Sequence, residues 1–340
     1  MGSARVTTAA TGPSASPPPP YGRRPAWRRF LAWADGIGLA GVSVVVGCRV
    51  LDVDGRTPVP QLLAFLPWLL VPAVLGLVLA LVARWRIGMA WAAVLIATTG
   101  WYVQPYGPGT AEAEGHLIAP VRVLTANVEF GGGTADLIAA IRREKPDLVF
   151  VQECEYDCSA ALGSEVPDAT YPYRKVVEAS GAEGSAILSK YPLRSAPGID
   201  GTLAMPGAVA LVHDRAVRIQ LTHPMPPAPG HVPDWRSELG AIRDYAARDK
   251  DRPTLVAGDF NASQDHAVFR RILDAGGLRD TAALGGAFRT PSWPADIDGI
   301  GAQIDHVLAS DDFAVRSARF LTLRNTDHRA LLVELELHSG

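Results

Sequence analysis

An uncharged apolar run of 23 residues, from position 61 to position 83, constrains this chain more than any other feature of its sequence. A helix of this length can cross about 30 Å of hydrocarbon. Two shorter apolar runs, at 31–48 and 87–103, flank it, and only an Arg-Trp-Arg turn separates the second run from the third. The pattern predicts a membrane anchor of about three transmembrane helices over residues 31–103.

Buried helices of a soluble protein and a cleaved signal peptide are the alternatives to such an anchor. Uncharged stretches of about twenty residues are uncommon in soluble cores, which disfavours the first. The second is disfavoured because three runs occur and no small-residue cleavage site clearly follows the first. Residues 1–30 are rich in proline and carry a basic cluster, so they predict a disordered cytoplasmic tail.

The distribution of arginine predicts how the anchor is oriented. The tail is basic, and the link between the second and third runs carries Arg84 and Arg86, so both are expected on the cytoplasmic side. Three crossings then place everything after residue 103 outside the cell. Through residue 103 the chain has nine Arg and three Asp, a net charge of +6, whereas the remainder has 23 basic and 32 acidic residues, a net charge of −9. The acidic remainder argues against tight, non-specific binding of long nucleic acids.

A linker at 104–119 is predicted to lead into one large domain at 120–338. There, short β-rich runs alternate with helical stretches and hairpin-like neighbours. This pattern predicts an α/β (α+β) domain with two packed mixed sheets flanked by helices. The three cysteines are too few for a disulfide framework; Cys154 and Cys158 either pair in an oxidising compartment or remain two unrelated thiols.

Polar residues follow the predicted strands of this domain. Asn127, Glu153 and His223 each come directly after a β-rich run, and Asp259 with Asn261 follows another. Any one of them alone is more often a turn residue or a helix cap. Together, carboxylate and amide oxygens suit a hard cation such as Mg²⁺, and histidines can donate to phosphate oxygens. The set lacks the Cys/His cluster of a structural zinc site.

Seven short motifs resemble the endonuclease/exonuclease/phosphatase (DNase I-like) superfamily, in family order over about residues 120–338. They are Thr-Ala-Asn-Val (125–128), Val-Gln-Glu (151–153), Gly-Ser-Ala-Ile-Leu-Ser-Lys-Tyr-Pro-Leu (184–193), Thr-His-Pro (222–224), Gly-Asp-Phe-Asn-Ala (258–262), Ile-Asp-His-Val-Leu-Ala-Ser (304–310) and Thr-Asp-His-Arg-Ala (326–330). The resemblance implies a four-layer α/β sandwich and hydrolysis of a phosphoester by water attacking phosphorus in line with the leaving group.

The resemblance also implies a role for each matched residue. The implied catalytic residues are His223, Asp259, Asn261, Asp305 and His328. The implied ligands of Mg²⁺, or of Mn²⁺ in its place, are Asn127, Glu153 and Asp327. In this scheme the carboxylate of residue 259 orients or deprotonates the attacking water, and the two histidines contact the scissile phosphate.

Further residues are expected near this cleft because they adjoin matched motifs. The expected substrate-binding residues are Tyr171, Arg174 and Ser189. Arg236 and Trp293 are additional candidates for contacts with substrate. His306 is expected to be structural, because neighbouring residues of a strand point to opposite faces. Glu129, two residues after Asn127, either faces the same cleft or is a solvated loop acid, and the second is expected.

The anchored architecture is similar to a membrane-bound bacterial branch of the superfamily, the VanJ-like proteins. That resemblance implies a lipid-linked phosphate or pyrophosphate as substrate at the outer membrane face, with the bilayer as the second partner. No protein partner is predicted. The alternatives are an extracellular nuclease and a non-catalytic membrane receptor, and the complete set of polar residues disfavours the receptor.

Overall fold

The computed structural model describes Gly12 and residues 25–107, 109–297 and 299–340, so most of the predicted tail at 1–30 lies outside the described residues. The α-helices found there are α1 (Ala26–Val50), α2 (Val59–Ala64), α3 (Leu70–Val82), α4 (Arg86–Tyr102), α5 (Thr134–Glu144), α6 (Tyr156–Glu165), α7 (Val232–Ala247), α8 (Ala267–Gly276) and α9 (Thr281–Leu284). The strands are β1 (Leu117–Asn127), β2 (Leu148–Gln152), β3 (Tyr173–Val177), β4 (Ser185–Ser189), β5 (Leu193–Ile199), β6 (Met205–Val212), β7 (Arg215–Thr222), β8 (Thr254–Asp259), β9 (Arg279–Asp280), β10 (Asp305–Ala309), β11 (Phe313–Thr322) and β12 (Arg329–His338). Short 3-10 helices occur at Leu66–Leu69 and Gly181–Glu183.

The strands form two six-stranded sheets, with the orders β11–β12–β1–β2–β4–β3 and β5–β6–β7–β8–β10–β9. Each sheet contains one parallel pair, β1 with β2 and β7 with β8, and its other neighbours are antiparallel. Parallel neighbours need a crossover connection, and α5 and α7 supply it in the two sheets. The prediction of two mixed sheets flanked by helices is confirmed.

Alternating side chains on the central strands build the layers. On β1, Val123 faces the core between the sheets and Leu124 faces the layer of α5 and α6. On β8, Leu255 faces the core between the sheets and Val256 faces the layer of α7 and α8. Because both faces of these strands are buried, their sequences are nearly continuous apolar runs.

The N-terminal helices form a separate apolar bundle. Helices α1, α3 and α4 pack together around Leu39, Ala73 and Ala92. Their outward-facing side chains are also apolar, and Ile37 and Val71 are exposed examples. An apolar exterior on an apolar core is typical of helices that lie in a lipid environment.

The expectation of about three transmembrane helices is not met by helix length. Among the described residues, only α1 is both long and apolar enough to cross a membrane, while Leu66–Val82 and α4 are shorter apolar helices. The uncharged run at 61–83 is not one helix because Pro67 lies in the 3-10 turn between α2 and α3. Proline has no N–H to continue the α-helical hydrogen bonds.

The large domain begins earlier than predicted. Strand β1 starts at Leu117, within the expected linker at 104–119, because its first residue pairs with His338 at the end of β12. The linker also contacts the sheet, since the Ala111 carbonyl accepts a hydrogen bond from the Val315 N–H at 2.7 Å. The N-terminal bundle is therefore joined to the sandwich by a segment that contacts the first sheet.

Candidate active site

The carboxyl ends of the two parallel strand pairs supply four polar residues. In the first sheet, Asn127 ends β1 and Glu153 directly follows β2. In the second sheet, His223 directly follows β7 and Asp259 ends β8. Parallel neighbours have their carboxyl ends at the same edge of a sheet, so each pair brings two side chains to one place.

Two further site residues reach the same place from antiparallel strands. Strand β10 runs antiparallel to β8, so its first residue, Asp305, lies opposite Asp259. Strand β12 runs antiparallel to β1, and His328 directly precedes it. The Thr326 hydroxyl ties this segment to the end of β1 by donating to the Asn127 carbonyl at 2.9 Å.

Asn127 connects the two sheets at the site. Its Nδ2 donates to Glu153 Oε1 at 2.9 Å and to Asp259 Oδ2 at 3.2 Å, and its Oδ1 accepts from the Glu129 N–H at 3.0 Å. The Phe130 N–H donates to Glu153 Oε2 at 3.2 Å. Glu153 has a φ of 56°, a left-handed conformation that a non-glycine residue keeps only where its surroundings impose it.

His223 is a neutral imidazole in this pocket. Its Nε2 lies 3.6 Å from Glu153 Oε1 and 3.9 Å from Asp259 Oδ2. Complete burial, together with the positive charge of His328, lowers the pKa of His223 to about 3. His223 can therefore donate a hydrogen bond from one ring nitrogen without carrying a charge.

His328 is the positively charged counterpart. Its Nδ1 lies 2.9 Å from Asp305 Oδ2, and its Nε2 lies 3.7 Å from Asp259 Oδ2 and 3.6 Å from Asp327 Oδ1. Burial alone would lower the pKa of His328, but Asp305 and Asp259 outweigh it and raise the pKa to about 10. Burial, reinforced by the negative charge of Asp305, raises the pKa of Asp259, although His328 opposes this shift.

Asn261 is held beside the carboxylate of Asp259. Its backbone N–H donates to Asp259 Oδ1 at 2.7 Å, and its side-chain Nδ2 donates to the Pro224 carbonyl at 3.0 Å. The Trp235 indole N–H donates to the Asn261 carbonyl at 3.0 Å. Asn261 has a φ of 47°, so a second residue of the site is in the left-handed region.

Asp327 is held by two residues for which the sequence suggested other roles. The Trp293 indole N–H donates to Asp327 Oδ2 at 2.8 Å, so Trp293 contacts a site residue directly. Glu129 Oε2 accepts from the Asp327 N–H at 2.7 Å. The expectation that Glu129 is a solvated loop acid is therefore corrected; its position two residues after Asn127 was the only sequence signal.

The site gathers more negative than positive charge. Its carboxylates are Glu153, Asp259, Asp305 and Asp327. Among the described residues, His328 is the cation that contacts three of them, Asp259, Asp305 and Asp327. This excess of oxygen ligands and negative charge fits a hard divalent cation.

The contacts among these residues bear on which of them could bind such a cation. Atoms of Asp259, Asp305 and His328 lie within 4.8 Å of one another, as a metal site requires. Within this group, His328 Nδ1 and Asp305 Oδ2 already contact each other at 2.9 Å. Glu153 and Asn127 bring further oxygens of the kind that a hard cation prefers.

The three expected substrate-binding residues do not join the cluster. Tyr171 is buried, and its hydroxyl donates to the Pro146 carbonyl at 2.7 Å. Arg174 donates to three backbone carbonyls, those of Leu162, Val166 and Tyr171. Ser189 is buried at the end of β4 and donates to the Tyr191 carbonyl at 2.8 Å. Their polar atoms are used inside the fold, so the expectation is corrected.

Two other residues also lie away from the cluster. Arg236 donates to the Gly55 carbonyl, in the segment that follows α1, so the structure does not support its expected contact with substrate. His306 points to the opposite face of β10 from its neighbour, as expected. Its Nδ1 lies 2.9 Å from Asp280 Oδ2, and its Nε2 lies 3.1 Å from the Ala262 carbonyl.

Cys154 and Cys158 form a disulfide, which resolves the alternatives that the sequence left open. The bridge links the residue after Glu153 to the first turn of α6. The Cys154 N–H also donates to the Gly184 carbonyl at 2.9 Å. The disulfide therefore covalently constrains the segment that directly follows Glu153.

Solved structures with the same fold share little sequence with this chain. An endonuclease/exonuclease/phosphatase from Beutenbergia cavernae is 18% identical, with a TM-score of 0.52 over 64% of this chain and 72% of that one. An AP endonuclease from Archaeoglobus fulgidus is 15% identical, with a TM-score of 0.51 over 63% and 98%. D. rerio TDP2 complexed with a single-strand DNA product is 12% identical, with a TM-score of 0.52 over 64% and 99%. These likenesses concern the fold alone.

No curated protein matches the chain. Residues 124–328, more than half of the chain, match the Endonuclease/Exonuclease/phosphatase family. The matched segment runs from within β1 to His328 and so contains all eight residues expected to carry the chemistry. With this match and the two-sheet fold, the chain belongs to the Endonuclease/Exonuclease/phosphatase family.

Proposed function

We propose that this chain is a divalent-metal-dependent phosphoesterase that hydrolyses a phosphate ester or anhydride by in-line attack of water. The observation that carries the proposal is the convergence of eight polar residues from both sheets, including a neutral and a charged histidine on the same carboxylate of Asp259. A negatively charged pocket with two differently charged donors suits the stabilisation of charge that develops on phosphate oxygens.

In this proposal Asp259 acts on the attacking water. Its raised pKa makes the carboxylate a better proton acceptor near neutral pH than an exposed aspartate. Asn127 Nδ2 and the Asn261 N–H hold one carboxylate oxygen each, which fixes the plane of the group. Asn261 would orient the water or a phosphate oxygen beside it.

The two histidines would bind phosphate oxygens in different ways. His328 offers a charged N–H from Nε2, because its Nδ1 is directed to Asp305. His223 offers a neutral donor, which adds no charge to the pocket. Charged hydrogen bonds are roughly twice as strong as neutral ones, so His328 is expected to contribute more to transition-state binding.

Glu153, Asn127 and Asp327 would hold the metal, which we propose to be Mg²⁺, with Mn²⁺ able to replace it. Their oxygens match the preference of these ions for carboxylate and amide ligands. When bound, the ion supplies Lewis-acid stabilisation of negative charge on the phosphate and the leaving oxygen.

We also propose that α1, α3 and α4 anchor the enzyme in a membrane, with the catalytic domain on the outer face. Support comes from the two ends of the bundle. One end of the bundle contacts the domain. There Arg49 of α1 lies 3.7 Å from Asp265, and Arg289 of the domain donates a hydrogen bond to the Val103 carbonyl at 2.9 Å. The opposite end carries Arg84, as the positive-inside rule requires of a cytoplasmic end. A disulfide also fits an oxidising compartment.

The proposed substrate is a lipid-linked phosphate or pyrophosphate, as implied by the similarity to VanJ-like proteins. An anchor in direct contact with the domain keeps the cleft near lipid headgroups. The net charge of −9 after residue 103 fits a small or lipid substrate better than long DNA.

A panel of phosphoesters tests the proposal. We expect the full-length protein with Mg²⁺ to release phosphate from farnesyl diphosphate, and Asp259→Ala to abolish this release while the protein still folds. Asp251→Ala, at an exposed acid before β8, is the control and should keep wild-type activity.

The nuclease alternative has its own outcome in the same experiment. It draws support from the fold shared with proteins solved with DNA, such as D. rerio TDP2 with a single-strand product. Comparable Mg²⁺-dependent nicking of plasmid DNA would favour that alternative over a lipid substrate. No activity on any phosphoester by a folded protein would refute the phosphoesterase and leave the receptor.

A further inference from the structure

The membrane anchor contacts the catalytic domain directly beside the active site. The Trp68 indole N–H donates to the Gly301 carbonyl at 3.2 Å. The Phe65 ring lies 6.3 Å from the Trp293 ring, centroid to centroid, at an angle of 56°. Both partners belong to one loop of residues 291–297 and 299–302, which we call the Trp293 loop.

The Trp293 loop in turn holds two residues of the active site. Trp293 donates from its indole N–H to Asp327 Oδ2 at 2.8 Å, and the Ala295 N–H donates to the Asp327 carbonyl at 2.7 Å. The Ser292 hydroxyl oxygen accepts from the Asp305 N–H at 3.1 Å. Asp305 and Asp327 are the carboxylates on either side of the charged histidine.

Contacts inside the loop link its two arms. Trp293 and Ala302 form a two-way bridge, with N···O distances of 3.0 Å and 2.7 Å. Gly301 is packed so closely that an added Cβ would lie 2.7 Å from the Trp293 carbonyl oxygen. A displacement of Gly301 towards Trp293 would therefore displace Trp293 as well.

Other contacts fix the anchor segment on the domain independently of this loop. Asp54 is buried and accepts from the N–H groups of Ala267 and Val268, at 2.7 Å and 3.2 Å, in the first turn of α8. His266 Nε2 lies 2.8 Å from the Pro60 carbonyl. The segment that carries Phe65 and Trp68 is thus attached at its start as well as at the loop.

We propose that Phe65 and Trp68 of the anchor are positioning residues of the active site, which act by holding the Trp293 loop and, through it, Asp327 and Asp305. The inference rests on the proposed hydrolysis only for its activity measurement. Phe65 and Trp68 hold the loop that positions Asp327 and Asp305, and they do not contact the substrate themselves. Their substitution should therefore reduce turnover rather than substrate binding.

Full-length variants in lipid nanodiscs test this proposal with farnesyl diphosphate and Mg²⁺. Trp68→Phe keeps the aromatic ring and removes the N–H donor, and it should lower kcat about fivefold, the scale of one neutral hydrogen bond, with KM unchanged. Trp91→Phe is the matched control, since it removes an indole hydrogen bond to Ser43 Oγ (2.9 Å) within the anchor. It should leave kcat within about twofold of wild type.

A double-mutant cycle identifies the route of the effect. If Phe65 acts through Trp293, then Phe65→Ala should lower kcat in the wild-type background but change it little in the Trp293→Phe background. The reason is that the effects of substituting two residues in contact are not additive. Additive losses, or a Trp68→Phe effect no larger than that of Trp91→Phe, would overturn the proposal.

Hydrogen exchange without metal or substrate separates this inference from the proposed reaction. Trp68→Phe should accelerate exchange of the Trp293 and Ala302 amides about fivefold while amides of β6 and β7 are unchanged. The same acceleration in Trp91→Phe, or none in Trp68→Phe, would contradict the coupling. If the wild type hydrolyses nothing but the exchange result holds, the proposed function fails and the anchor contact stands.

Discussion

Two histidines of one pocket carry different charges because their neighbours differ. His223 is buried near the positive charge of His328, and both effects lower its pKa to about 3. His328 is equally enclosed, yet Asp305 and Asp259 raise its pKa to about 10. At neutral pH the pocket therefore contains one neutral and one cationic histidine, two kinds of hydrogen-bond donor from a single residue type.

Asp305→Asn tests the origin of the charge on His328. The substitution removes the carboxylate that accepts from Nδ1 at 2.9 Å, so the pKa of His328 should fall towards its ordinary value of 6.5. We expect kcat to fall about a hundredfold and the high-pH limb of the kcat profile to move to lower pH. A profile with an unmoved limb would show that His328 does not need this carboxylate to stay charged.

His306 and Asp280 form a second buried pair outside the active site. Burial would lower the pKa of His306, but Asp280 outweighs it and raises the pKa above 6.5. A histidine whose pKa is higher in the folded state than in the unfolded state stabilises the fold. This stabilisation is complete at pH values below the unfolded-state pKa, and it is lost as the pH rises through the folded-state pKa. We expect the Tm difference between wild type and His306→Gln to be largest below pH 6.5 and to shrink as the pH is raised above that value. A constant difference would show that the pair is not charged.

At the scale of elements, the site depends on how closely two parallel strands approach. Gly258 lies on β8 beside the end of β7, and a Cβ there would lie 2.0 Å from the Thr222 carbonyl oxygen. Its φ of 152° is also one that side-chain-bearing residues rarely adopt. This approach sets the spacing between His223 and Asp259, which directly follow these two residues in the sequence.

Gly258→Ala should therefore be strongly destabilising. We expect the free energy of unfolding to fall by about 3 kcal/mol or more, from the overlap with backbone and the unfavourable φ. Gly240→Ala in α7 is the matched control, because a Cβ there meets nothing within 4 Å. That variant should be stabilised by about 0.5–1 kcal/mol. Denaturant unfolding of both variants measures the contrast, and equal effects would contradict this account.

The edge strands show why part of the fold is hard to predict from sequence. Strands β3 and β5 lie at sheet edges, and most of their residues are exposed or half-buried. An edge strand needs few apolar residues, so it lacks the run that marks β8. The central strands and the helix at 134–144 were predictable within a few residues, because burial imposes a regular apolar pattern.

At the scale of the whole molecule, a basic apolar bundle and an acidic sandwich are joined by specific polar contacts. Arg289 makes a bidentate pair with Asp265 at 2.7 Å and 2.8 Å, and it also donates to carbonyls at the end of α4. Arg270 pairs with Asp52 after α1. Contacts at the carboxyl ends of α1 and α4 therefore hold one end of the bundle against the sandwich.

Protease protection tests the proposed orientation in the membrane. A tag at the C-terminus should be digested by external protease in intact spheroplasts, because the proposed three crossings would place the domain outside. A tag inserted between α3 and α4, beside Arg84, should be digested only after the membrane is opened. Digestion of both tags in intact cells, or of neither, would contradict three crossings.

By itself, the sequence determined the family and the two-sheet class, and it predicted the eight polar residues that the structure brings together. Those features lie in short motifs at strand ends, where neighbours within a few positions carry the information. Only the tertiary structure decided the positions of Glu129 and Trp293, the disulfide, and the contact of Trp68 with Gly301, which are 233 residues apart in the chain. The physical reason is that hydrogen bonds and packing between distant segments depend on how the sheets and the N-terminal helices pack against each other. A local sequence pattern does not specify that packing.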